Sequence, residues 1–131
     1  MNRKKLFIRL ATLMFLIFTA NFVANKFYWY SSISYFDMIM HFLGGFWLAL
    51  AFIWVYNKEK LNSINILKVM LSVLLVGVAW EVFEVLVNQS LAKNLFDALD
   101  TLSDLFFDLF GGVTALYYVS KRIMKKKEDK V

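Results

Sequence analysis

The chain has 131 residues, 60% of them hydrophobic and 18% aromatic, with a net charge of +5 and a mean hydropathy of +0.58. Its length fits one domain, and it is more apolar than soluble domains, which lie nearer half. With no Cys and no Pro, it has no disulfide framework, thiol nucleophile, Cys metal site or proline-kinked helix.

Four apolar segments follow one another, over about residues 6–30, 36–56, 64–87 and 101–121. Each is near the roughly 20 residues that a helix needs to cross roughly 30 Å of hydrocarbon. A two-residue period is missing, and backbone groups facing lipid must be paired within the segment, so helices remain. The fold class is therefore all-α: a single transmembrane domain, an antiparallel bundle of four helices with a basic tail over 122–131.

The first segment, "MNRKKLFIRLATLMFLIFTANFVAN", begins like a secretory signal, with a basic start and an apolar run. The apolar run is too long for one, which predicts a retained helix. Lys and Arg then set the orientation. Arg3, Lys4, Lys5 and Arg9 precede or open the first helix. Lys58, Lys60 and Lys68 follow the second, and Lys121, Arg122, Lys125, Lys126, Lys127 and Lys130 end the chain. The other two loops carry only Lys26 and Lys93. Both termini and the middle loop are expected in the cytoplasm, as in a multi-pass membrane protein. The basic tail is this topology signal and gives no reason to expect nucleic acid; anionic lipid is its natural contact. The aromatics of "FYWYSSISYF" (27–36) fit an outer interfacial belt around a short turn, and Trp54, Tyr56, Tyr117 and Tyr118 fit the inner one.

On this topology the second helix starts outside, with Asp37 and, one turn deeper on nearly the same face, His41. The third ends outside, with Glu81 and Glu84 on one face and Asn88 continuing it. The fourth starts outside with "DALDTLSDLFFDLFGGV" (97–113). There Asp97, Asp100, Asp104 and Asp108 fall within an arc of roughly 80°, and Asp108 lies roughly 12 Å below Asp100. Of the ten acids, Asp37, Glu81, Glu84, Asp97, Asp100, Asp104 and Asp108 are on the outer side. Glu59, Glu128 and Asp129 are cytoplasmic. Asp97 and Asp37 also suit helix N-caps. Glu81, Glu84, Asp104 and Asp108 lie too deep for caps, and an intramembrane acid costs about 2.5 to 3.5 kcal/mol. Crowded carboxylates without Lys or Arg on the same faces imply either shared protons or a bound cation. Gly44, Gly45, Gly77, Gly111 and Gly112 sit about one turn from these groups, where small residues let helices approach closely.

"FDMIMHFLGGF" (36–46), "WEVFE" (80–84) and "DTLSDLFFDLFGG" (100–112), in that order, resemble the YjdF-like group of small bacterial inner-membrane proteins and, more distantly, the VanZ-like proteins. The likeness spans roughly residues 36 to 115. It implies a polar signature of Asp37, His41, Glu81, Glu84, Asp100, Asp104 and Asp108. The VanZ-like Glu-x-x-Gln is not reproduced, its Arg before the last acidic helix is missing, and Asp108 stands where an Asn is usual.

Oxygen-rich ligands with one His suit a hard divalent cation, Mg²⁺, Mn²⁺ or Ca²⁺. The leading expectation is a site with Glu81, Glu84, Asp100, Asp104 and Asp108 as metal ligands, and with His41, oriented by Asp37, as ligand or base. Beside lipid headgroups such a site suits recognition or processing of an envelope lipid or glycan precursor. A second expectation is a proton- or cation-coupled transport component acting as a homo-oligomer, since four helices are few for a transporter. A third is a buried hydrogen-bonded network with no ligand.

Overall fold

The computed structural model describes residues 2–56, 61–91 and 97–128. Among these it has five helices and no strand: α1 Arg3–Lys26, α2 Trp29–Ser32, α3 Phe36–Tyr56, α4 Ser63–Leu91 and α5 Ala98–Glu128. Four are long and apolar enough to cross a membrane, over Arg3–Lys26, Phe36–Tyr56, Ser63–Val87 and Ala98–Met124. The chain is an all-α protein with four candidate spans. Lys58, Glu59, Lys60, Lys93, Asp129 and Lys130 lie outside the described residues, as do the side chains of Asn88, Gln89, Lys125, Lys126, Lys127 and Glu128.

Local chemistry sets the helix starts. The Asn2 side chain accepts from the backbone N–H groups of Lys4 and Lys5 at 3.0 and 3.3 Å. Asn62 does the same for Asn65 at 2.8 Å, and Asp97 for Leu99 and Asp100 at 3.0 and 3.3 Å. Each satisfies amide donors that the first helical turn leaves without partners.

The helix expected over 6–30 stops at Lys26. Tyr28 adopts φ 56°, in the left-handed region, and this breaks the helical ladder. The hydroxyls of Ser31 and Ser32 then donate to the Tyr28 carbonyl at 3.0 and 2.9 Å, closing the one-turn helix α2. Conversely, α4 and α5 run past the apolar limits of 87 and 121. Helices do not end where hydrophobicity does, and the Lys-rich end of α5 consists of good helix formers.

Successive spans alternate in direction, so α3 and α5 run the same way. Their backbones touch. A Cβ on Gly45 would strike the backbone carbonyl of Asp108, and one on Gly111 would strike that of Phe42. The reciprocal glycines allow this close crossing, as small residues do between membrane helices. Below it Ala49, Leu50, Ile53, Val69, Val73, Ala115, Leu116 and Val119 form the buried core with Leu6 and Leu10 of α1. The Trp47 indole N–H donates to the Leu10 carbonyl at 2.9 Å, which pins α1 to α3. Phe15, Phe18 and Phe22 of α1 point outward, as lipid-facing side chains of a span do.

Candidate functional site

The site lies at the end of the bundle away from the N-terminus, just above the glycine crossing. A spacing of four places Asp37, His41 and Gly45 on one face of α3. On α5, Asp104, Asp108 and Gly111 share a face in the same way. Close contact at the glycines therefore brings the two polar pairs together.

His41 is the centre, with 9% of its side chain exposed. Its Nδ1 lies 3.3 Å from Asp108 Oδ1. Its Nε2 lies 3.8 Å from Asp104 Oδ2 and 3.9 Å from Asp37 Oδ1. The first distance is a hydrogen bond; the other two are too long for one. In the neutral tautomer that gives Nδ1–H to Asp108, Nε2 carries a lone pair toward two carboxylates and could take a cation; in the protonated ring Nε2–H would face them instead.

One ligand atom each from Asp37, His41 and Asp104 lies within 4.8 Å of the other two. A point equidistant from three atoms so spaced is roughly 2.5 Å from each, inside the range of about 2.0 to 2.6 Å for hard cations and oxygen. The spacing as it stands matches Ca²⁺, at about 2.3 to 2.6 Å, and is wide for Mg²⁺, at about 2.0 to 2.1 Å. If Asp37, Asp104 and Asp108 are all ionised, a protonated His41 balances one charge, and the rest calls for bound protons or a cation.

α4 closes the site from a third side. Glu81, Asp104 and Asp108 are the buried charged residues among those described, at 7%, 3% and 5% exposure. Glu81 Oε1 is buried with no hydrogen-bond partner. Thr101 lies beside this carboxylate as a hydrogen-bonding side chain, and His41, Glu84 and Asp108 are within electrostatic range of it. One turn before Glu81, Gly77 lies under Asp108: a Cβ there would be 2.7 Å from Oδ2. The missing side chain makes room for the carboxylate.

The expected site residues thus separate by position. Asp37, His41, Asp104 and Asp108 are brought together, and Glu81 stands behind them on α4. Glu84 is half-buried, within range of Glu81 and Tyr30. Asp100 is exposed at the start of α5, near Asp37 and Asp104 but not among the grouped ligand atoms. Asp97 is a helix cap. The carboxylate hydrogen-bonded to His41 is Asp108, from another helix, rather than Asp37 on the same helix.

Sequence reasoning missed Tyr30 and Thr101. Tyr30 lies in the aromatic stretch and reads as belt, yet its hydroxyl donates to Asn21 Oδ1 at 2.6 Å above the site. Burial, then the charges of Asp37 and Glu84, push its pKa above the ordinary value of 10.0. Thr101 stands in the first turn of α5, where it reads as a helix-start residue.

No curated protein and no solved structure matches the chain. The family model described as "Predicted membrane protein (DUF2238)" matches residues 2–125. Nearly the whole sequence is covered, so the chain, with its four apolar helices and His–Asp cluster, belongs to this family of membrane proteins.

Proposed function

We propose that the chain binds a divalent cation between Asp37, His41 and Asp104 and uses it to recognise or process the phosphate of an envelope lipid or glycan precursor. The observation that carries this reading is the spacing of the three ligand atoms, all within 4.8 Å. The Asp108–His41 hydrogen bond supports it. A metal-bound His usually donates its other ring N–H to a carboxylate, which fixes tautomer and ring direction. Asp108 then acts as a positioning residue, and Asp37 takes the ligand role that spacing alone assigns to Asp108. The unpaired oxygen of Glu81 supports it too, because a buried unpaired acceptor costs about 1 to 3 kcal/mol unless something positive is near.

A bound cation would supply Lewis acidity to a phosphate oxygen. In this reading Asp37 and Asp104 would carry the opposing charge, Asp108 would hold the imidazole in place, and Glu81, behind them on α4, would serve as the base. The resemblance of residues 36–115 to YjdF-like proteins agrees with a bacterial inner membrane. The Lys and Arg excess at the N-terminal end of the bundle agrees with cytoplasmic termini, which puts the site in the outer leaflet. The reading is tested by binding a labelled lipid pyrophosphate to the purified protein before and after chelation. Cation-dependent binding supports it; binding unchanged by chelation overturns it.

A further inference from the structure

The opposite end of the bundle holds a second group of charges, and these are positive. Arg9 lies six residues into α1 from Arg3, so its backbone is ~9 Å inside the span's start. There its Nη1 donates to the Tyr118 hydroxyl at 2.9 Å. Arg122, one turn further along α5, places its guanidinium 5.2 Å from the centroid of the same ring. Two guanidinium groups from different helices thus share one tyrosine. Among the described residues, neither has a carboxylate within ion-pair distance; the ion pairs found there all belong to His41. A guanidinium carries five N–H donors, and Arg9 spends one of them on Tyr118. A half-buried Arg at this depth is costly in hydrocarbon, and its long stem lets the head reach toward the interface. Phosphate is the group whose geometry and charge match such a fork.

We propose that Arg9 and Arg122, held about Tyr118, bind the phosphate of an acidic phospholipid in the leaflet around the N-terminal end of α1. The lipid supplies the negative charge that these two guanidinium groups do not find within ion-pair distance among the described residues. Lys121, 5.5 Å from the Tyr117 ring centroid, and Arg3, 5.2 Å from that of Trp54, add positive charge at the same end. Basic pockets between helices at a membrane face are known lipid-headgroup sites. This site is separate from the His41 cluster and does not depend on its ligand.

The test uses the full chain in zwitterionic detergent. Dioctanoyl phosphatidylglycerol, dioctanoyl phosphatidylcholine and inorganic phosphate are titrated separately, with native mass spectrometry and thermal unfolding as readouts. Phosphatidylglycerol is expected to bind and raise Tm, while the other two do not. R9Q and R122Q should each weaken it about tenfold or more, the scale of a lost charge-assisted hydrogen bond. K4Q, which removes an exposed charge elsewhere at the same end, should leave binding unchanged. If R9Q fails to fold, R122Q at its exposed position carries the test. Equal binding of phosphatidylcholine, or wild-type affinity in both arginine variants, overturns the proposal. An equal response to inorganic phosphate shows a free-anion site and overturns the lipid assignment.

Discussion

Gly45→Ala is the substitution for which the fold makes the sharpest demand. The added Cβ would overlap the carbonyl oxygen of Asp108 and stand 2.6 Å from its carbon and 2.7 Å from its Cα. Carbon atoms rest about 3.5 to 4.0 Å apart, so α3 and α5 must separate by about 1 Å or more. Backbone atoms cannot swing aside as a side chain would, which puts the cost at or above the top of the about 1 to 3 kcal/mol typical of overpacking. Ala recovers up to ~1 kcal/mol through helix propensity. The net loss is about 2 kcal/mol, or about 5 °C or more in Tm. Gly44 is the control in the same dipeptide: a Cβ there meets nothing within 4 Å, so Gly44→Ala should be neutral or stabilising by up to ~1 kcal/mol. Thermal unfolding of the purified protein in detergent, followed by tryptophan fluorescence, compares them. Equal shifts in the two variants, or a Gly45→Ala protein as stable as wild type, would refute the close crossing.

Gly77→Ala should spare the fold and disturb the site. Its Cβ would press on Asp108 Oδ2 at 2.7 Å and Leu105 Cδ2 at 3.1 Å, both side-chain ends able to move. His41 ring resonances should shift with little change in Tm; unchanged resonances contradict the placement of Asp108. Trp47→Phe removes the 2.9 Å bond to Leu10 and should cost about 1 kcal/mol, read as a lower Tm. Tyr30 should ionise only above the ordinary value of 10.0, because burial first and then Asp37 and Glu84 raise its pKa. The folded state therefore holds this proton more tightly than the unfolded chain. That contribution is fully present below pH 10 and is lost as pH rises through the raised value. Comparing the ultraviolet titrations of wild type and Tyr30→Phe isolates this step, and ionisation below 10 would contradict the partial desolvation of the hydroxyl beside Asp37 and Glu84.

The four spans were legible because a helix in lipid must be apolar over a fixed length, and α3 has the bounds that its hydropathy gives. The face Asp37–His41–Gly45 was also legible, since a spacing of four defines one side of a helix. What the helices do to each other was not. Periodicity pairs His41 with Asp37, its neighbour one turn away. The hydrogen bond goes instead to Asp108, because the crossing at Gly45 and Gly111 brings α5 closer to the ring than α3's own preceding turn. The break at Tyr28 had no sequence marker either. A left-handed tyrosine is uncommon, and neither Gly nor Pro stands there to announce it. The acids of α5 divided by burial as depth on the topology suggests: Asp97 caps, Asp100 is exposed, and Asp104 and Asp108 are buried. Glu81's unpaired oxygen depends on atomic positions that no spacing rule supplies.

The central claim is that Asp37, His41 and Asp104 hold a divalent cation. Its most direct measurement is calorimetric titration of the purified, chelator-stripped protein with Mg²⁺, Mn²⁺, Ca²⁺ and Zn²⁺, for wild type, Asp104→Asn and Asp108→Asn. The account predicts one saturable site in the wild type and affinity about 10- to 100-fold weaker in Asp108→Asn, as for a lost orienting carboxylate. Asp104→Asn should lose more than that. An absence of heat and of any Tm change with all four ions, or wild-type affinity in Asp104→Asn, would contradict it.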